Sequence, residues 1–238
     1  MCMTAITCQQ LCVNYGKAPI VKNVDLHIAP GECFGLVGEN GAGKSTLIKS
    51  MLDLIAIKSG RCEFFGVSNR IVSSRSRLTF LPDRFVPPYY LKARDFLQYM
   101  AALHGLPFNA EKAEEMLRLL DLDLSALDKS VRELSKGMNQ KIGLAACFLS
   151  HRDILILDEP MSGLDPRARA RVKQQILELK RQGKTLFFSS HMLADVEEIA
   201  DRMAVLHRGE IQFTGAPQAF MQHYQAPTME TAYLACVN

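Results

Sequence analysis

Nine residues, Gly38 to Thr46, read GENGAGKST and match the spacing G-x-x-x-x-G-K-[ST]. An apolar run, CFGLVG, leads into them and a helical pattern, KSTLIKSMLDLIA, leads out, so they form the turn between a strand and a helix. Glycines let the backbone N–H groups of Gly38, Glu39, Asn40, Gly41, Ala42 and Gly43 turn inward around phosphate oxygens. The following helix N-terminus adds partial positive charge there. In that setting Lys44 contacts the β- and γ-phosphates and Ser45 can ligate Mg²⁺, with Thr46 completing the motif. The chemistry is that of a nucleotide triphosphate; what its hydrolysis drives is not in these nine residues.

A second run, ILILDEP (Ile154 to Pro160), is an apolar strand ending in two adjacent carboxylates. Side chains alternate along a strand, so the two cannot face one way. Asp158 suits a Mg²⁺ shell, usually through water, and Glu159 then lies toward the γ-phosphate, where it can orient and deprotonate an attacking water. Alone, such a pair is more often a helix cap; beside Gly38–Thr46 the catalytic reading takes over. A third apolar run, FFSSHML, ends at His191. A histidine there is often a cap or a core residue. Strand C-termini are also where ligands collect in open α/β sheets, and an imidazole could donate to the γ-phosphate and hold the water of Glu159.

These groups need elements to carry them. TAITC, LCVNY and VDLHI read as short β segments, the last two separated by a loop bearing Gly16 and Pro19. The helix after the glycine loop shows apolar positions at Leu47, Met51, Leu54 and Ile55, and RCEFFG and RLTFLPD return to strands. From Tyr90 to Leu149 the pattern is helical, with Phe96, Tyr99, Met100 and Leu103 on one face and Met116, Leu117 and Leu120 on another. Pro166 at a first helical position, with Asp165 before it, starts a helix to Arg181. MAVLHRGEIQF reads as a hairpin turning at Arg208-Gly209. Met229, Ala232, Tyr233 and Cys236 mark a last amphipathic helix, expected to dock on its own core. The expected fold is α/β: one domain over 1–238, with a mixed sheet, an N-terminal antiparallel β portion and a helical subdomain inserted near 85–150.

Composition is that of an ordinary globular domain and excludes several classes. The chain has 238 residues, 48% hydrophobic and 22% charged, which argues against disorder. A net charge of +3 sets no strong field for nucleic acid, and Arg70, Arg75 and Arg77 are expected on a solvated face. Seven cysteines without C-x-x-C or a matching His pair argue against a disulfide framework or a zinc site. Free thiols suit a reducing compartment, and Cys33 and Cys147 fall in apolar runs as core residues. MCMTAITCQQ lacks the apolar region of a signal peptide, and no run approaches the roughly 20 apolar residues of a membrane helix. The chain is therefore expected to be soluble, with any membrane-spanning part carried by other chains.

Together the glycine loop and the carboxylate strand resemble the nucleotide-binding subunit of an ATP-binding cassette (ABC) transporter, a P-loop NTPase, over almost the whole chain. SGLDP at Ser162–Pro166 resembles that family's D-loop, and His191 its switch histidine. Tyr15 falls where the family stacks an aromatic ring on adenine; the alternative is a strand aromatic packed in the core. LSKGMNQ, Leu134 to Gln140, resembles the signature usually written LSGGQ. In the family it opens a helix facing the γ-phosphate of ATP bound to a second copy, so the resemblance assigns Ser135 and Gly137 to the partner's ATP. The plain alternative is that Ser135 only caps its helix.

Two positions depart from the family pattern. Lys136 and Met138 replace Gly and Gln, and the form LSKGM followed by Q-K resembles the ABC-2-type export ATPases. Asp83, in FLPD, stands where the family has a Gln that contacts Mg²⁺ and relays nucleotide state to the membrane partner. Asp83 would hold Mg²⁺ through water at best, or serve only as a turn residue beside Pro82. The resemblance thus implies ATP and Mg²⁺, a second ATP-binding subunit as homodimer or paralogue, multi-span membrane subunits and the cytoplasmic face of a membrane. The groove beside Asp83 and PPYYLKARDF are the expected dock for a membrane subunit, with no appended regulatory domain. The rival is a soluble ABC ATPase acting on nucleic acid or ribosomes. Its members carry two cassettes or a long coiled coil, and neither pattern occurs here. A P-loop kinase leaves LSKGM and SGLDP without a role.

Overall fold

The computed structural model describes residues 4–238; the signal-peptide reading of the first ten residues falls partly on 1–3, outside the described residues. In chain order the elements begin with β1 (Ile6–Tyr15), β2 (Ala18–Ile28), β3 (Cys33–Val37), α1 (Lys44–Met51), β4 (Ser59–Phe64), β5 (Val67–Ser68) and β6 (Leu78–Leu81). Three helices follow, α2 (Ala93–Leu103), α3 (Ala110–Leu119) and α4 (Lys136–Phe148), then β7 (Ile154–Leu157), α5 (Pro166–Arg181) and β8 (Thr185–Ser190). The chain continues through α6 (Leu193–Ile199), β9 (Arg202–His207), β10 (Glu210–Gly215), α7 (Pro217–His223) and α8 (Met229–Val237).

Two sheets result. β2-β1-β4-β5 is antiparallel, and the six-stranded sheet runs β10-β9-β3-β8-β7-β6, parallel except where β10 returns beside β9. Its buried strands are continuous apolar runs because both faces are covered. Alternation divides each strand between two cores. Ile154 and Ile156 of β7 join Phe34, Phe187, Leu47 and the antiparallel sheet. Leu155 and Leu157 join Phe188 and the helices α2 to α8 on the other side. Because β3, β6, β7 and β8 are parallel, the loops leaving all four emerge at one edge, where open α/β sheets bind ligands.

Several local expectations change on folding. TAITC and LCVNY are one strand, β1, bent by a register shift beside Gln10, whose φ is 46°. Pro19 is in β2 rather than in a loop. α1 stops at Met51, and Leu54 is exposed, since Asp53 turns left-handed with φ 59° and ends the apolar stripe. On α2 the buried face is Ala93, Phe96 and Leu97, with Met100 packed at its edge, while Tyr99 and Leu103 point outward. The arginine cluster does lie on a solvated face, with Arg70 and Arg77 exposed and Arg75 half-buried, but two of its members also bind their own chain: Arg77 pairs with Asp153 at 2.7 Å and lies 3.7 Å over the Phe65 ring, and Arg75 bonds Asn69 O.

Other expectations hold. α5 starts at Pro166 with the Asp165 side chain accepting from Ala168 N, and the β9–β10 hairpin turns at Arg208-Gly209. Met229 and Ala232 bury α8 against its own core. Among the described residues the cysteines are free, and burial pushes the Cys33 and Cys147 thiols up to about 12.

Candidate functional site

The loop from β3 into α1 is shaped by close backbone approach. A Cβ on Gly38 would lie 2.4 Å from Leu206 O of β9, which no side chain tolerates. Gly43, at φ 110°, is the N-cap of α1; it brings no side chain to the cap, and the first turn holds no acid. The amides at that end lack intrahelical partners and face outward as an anion site. Gly41, Lys44, Ser45 and Thr46 line a cavity of about 380 Å³, together with Glu39 and Asn40. Gly38 and Ala42 lie behind it as support. A smaller apolar cavity of about 240 Å³, between α2 and α4, shares no lining residue with it.

Three other strand ends complete the wall, with Asp83 after β6, Glu159 after β7 and His191 after β8. Asp158 is buried at 1% exposure on the parity of Ile154 and Ile156, the α1 side, as strand alternation requires. Alternation does not carry on to Glu159, whose φ of 52° is left-handed; that bend, not the pleat, re-aims the second carboxylate. Burial pushes the Asp158 carboxyl up; hydrogen bonds from Ser189 and Ser45 oppose this, and the negative charges of Asp83 and Glu159 add to it. Glu159 Oε2 lies 2.8 Å from His191 Nδ1. Its Oε1 lies 3.3 Å from Lys44 Nζ, a charge contact without hydrogen-bond geometry, since that oxygen has no hydrogen-bond partner. Lys44 Nζ donates instead to Gly38 O at 2.6 Å and Glu39 O at 3.3 Å. The site thus gathers an ammonium, a helix N-terminus, a hydroxyl beside a carboxylate, and a second carboxylate beside an imidazole.

Besides Gly38, Ala42 and the buried Asp158, the expected residues Tyr15, Ser135 and Gly137 do not line the cavity. Tyr15 ends β1 and is 52% exposed, so it is not a core aromatic. Ser135 caps α4 by accepting from Met138 N at 3.2 Å, and Gly137 lies in the same first turn. A Cβ on Gly137 would come within 3.2 Å of Gly163 O, so the LSKGM turn packs directly on the SGLDP loop of its own chain. Ser162 of that loop does line the cavity.

Two buried residues were not foreseen. Ser189 donates to Asp158 Oδ1 at 2.6 Å and accepts from Glu159 N at 2.9 Å. Gln140 of α4 donates to Pro160 O at 3.1 Å and reaches Glu159 O at 3.4 Å. The paired serines in FFSSH were the available signal for the first, since Ser189 shares the parity of Phe187 on the Asp158 side. The Q-K of NQKIG marks Gln140 only as part of the subfamily resemblance and gives no sign that it reaches Glu159.

The donor set suits a hard cation. No group of three or more His, Cys, Asp or Glu that could hold a metal occurs among the described residues. One hydroxyl and one carboxylate, Ser45 and Asp158, meet at the anion site, which fits Mg²⁺ held largely by phosphates and water.

Residues 21–162 match the family described as ABC transporter. An uncharacterized ABC transporter ATP-binding protein of Synechocystis sp. is 40% identical over 84% of this chain, which spans 57% of that relative's length. Nod factor export ATP-binding protein I of Burkholderia pseudomallei is 33% identical over 93% of this chain and 74% of its own length. The solved structure of an ATP binding subunit of an ABC transporter superposes with a TM-score of 0.89 at 26% identity, covering 98% of this chain and 99% of its own.

Proposed function

The chain belongs to the ABC transporter family, and on that premise we propose that it is the ATP-hydrolysing subunit of a transporter whose membrane-spanning parts are separate chains. One observation carries the reading: Glu159 stands between Lys44 of the phosphate loop and His191, 3.3 Å and 2.8 Å from them. The triphosphate lies on the N-terminus of α1, with Gly38–Thr46 around it and the Lys44 ammonium on the β- and γ-phosphates. Tyr15 stacks on adenine. Glu159 takes the proton of the attacking water, and His191 holds Glu159 and the γ-phosphate in register. Ser45 and Asp158 would hold Mg²⁺, with Asp83 reaching it through water; bound there, the ion would supply charge neutralisation at the phosphates.

Ser135 and Gly137, at the start of α4, serve ATP held by a second copy or paralogue, so two chains sandwich two nucleotides. Residues 85–150 act within the single domain as a helical subdomain that carries this turn. Val86, Tyr89 and Tyr90 are exposed just beyond Asp83 and form the dock for a membrane subunit. No helix among the described residues is long and apolar enough to cross a membrane, and the chain works at the cytoplasmic face through its partners. Export is the direction favoured by the relative named for Nod factor export. Arg75 and Arg77 are engaged with their own chain, and nothing favours the nucleic-acid alternative.

Glu159→Gln tests the reading. The amide keeps the shape and cannot accept the proton, so the variant binds ATP with parental affinity and loses turnover. Near-normal hydrolysis by the purified variant removes Glu159 as the base.

A further inference from the structure

Glu159 is held in its left-handed conformation from both sides. Its N–H is taken by Ser189 Oγ at 2.9 Å, and its carbonyl side is taken by Gln140, whose Nε2 donates to Pro160 O at 3.1 Å and reaches Glu159 O at 3.4 Å. Gln140 is 4% exposed, so water cannot replace it. A non-glycine residue at φ 52° relaxes toward ordinary backbone unless its surroundings over-determine it. Two converging carbonyl oxygens need a donor. A glutamine amide supplies two hydrogens; an apolar side chain supplies none, and an ionised carboxylate adds a third acceptor.

We propose that Gln140 is a positioning residue for Glu159, tying the carboxylate to helix α4. Its place on α4 gives the tie a direction. Ser135 caps that helix five residues earlier, roughly 7 Å along the axis, and a helix moves as a rigid rod over one and a half turns. In the sandwich proposed above, the α4 N-terminus faces the nucleotide of the other copy, while Glu159 acts on the nucleotide of its own. Gln140 therefore links the two sites within one chain: seating the partner's ATP on α4 sets the base of the opposite site. This inference rests on Glu159 being the general base.

Two variants of the full chain test it. Gln140→Met keeps length and volume and removes both hydrogens. Its kcat falls about 10- to 100-fold, the usual loss when an outer support of a reactive group is removed. Its ATP affinity stays within twofold of the parent and its unfolding midpoint within a few degrees. Gln140→Glu can donate only when protonated. Its rate relative to the parent is lowest at pH 8 and rises toward pH 6, whereas the Gln140→Met ratio stays flat. A merely structural glutamine would lose rate, affinity and stability together with no rise at low pH, and that result overturns the proposal. So does a kcat within twofold of the parent for both variants. Should Gln140→Met fail to fold, the pH ratio of Gln140→Glu decides alone. Glu159→Gln in the same assay keeps the failures apart. If it is dead while Gln140→Met is active, only the positioning role is lost. If it is active, the general-base reading goes, and this inference with it.

Discussion

The Ser189 hydroxyl donates to Asp158 Oδ1 across 2.6 Å, joining the C-terminal ends of two neighbouring parallel strands. Because the same oxygen accepts from Glu159 N, one buried side chain fixes the approach of both carboxylates. Ser189→Ala leaves a buried amide and a buried carboxylate each short of a partner. The expected cost is about 1–3 kcal/mol of folding stability. Ser189 also holds the Asp158 pKa down against burial, so its removal moves the acid limb of ATPase activity to higher pH. Urea unfolding and a pH–rate profile check both; an unmoved acid limb would contradict the assignment of Asp158.

Asp83 acts on Asp158 with the opposite sign. Its negative charge pushes the Asp158 carboxyl up, so Asp83→Gln moves the acid limb to lower pH. Activity at pH 8 stays within a fewfold of the parent, because the contact with Mg²⁺ runs through water. A large rise in the Mg²⁺ concentration for half-maximal rate would instead make Asp83 a direct ligand.

Shared sites can be tested by mixing. Lys44→Ala spoils a molecule's own phosphate loop, and Ser135→Arg places bulk where the partner's γ-phosphate docks. Each variant alone is nearly inactive, since every site has one bad half. Mixed, one site collects both bad halves and the other is sound, so ATPase activity returns and its specific rate rises with protein concentration. No rescue, with a Glu159→Gln protein that stays monomeric in ATP and Mg²⁺, excludes the shared site for the isolated subunit.

Away from the site, His104 carries an acid-side liability. Burial, and then the neighbouring Arg152 charge, lower its pKa from 6.5, while Arg152 Nε donates to its Nδ1 at 3.0 Å. Below pH 6.5 the unfolded chain takes up a proton before the folded chain does, so stability falls as pH drops through that window. His104→Gln can still accept from Arg152 and does not titrate. Its unfolding midpoint should drop less than the parent's between pH 7 and pH 5; equal drops would clear His104 of the effect.

What was legible in the sequence was what a few neighbouring residues decide among themselves. Glycines at Gly38, Gly41 and Gly43 before Lys44, proline at Pro166 behind Asp165, and the Arg208-Gly209 turn all act through local backbone geometry, and spacing alone records that. The carboxylate pair and His191 were visible for a related reason, since an apolar strand that ends in polar groups presents them at its edge. Where α1 stops, and which flank of α2 is buried, depended on neighbours that the helical period does not name. The surroundings of Glu159 were further out of reach. Ser189 lies 30 residues beyond it and Gln140 19 residues before it. They meet because β8 pairs with β7 in parallel and α4 packs on the face below. A hydrogen bond is worth nothing until both partners have been carried to within about 3 Å. That carrying is done by sheet order and helix packing, which are properties of the whole core and not of any stretch of it.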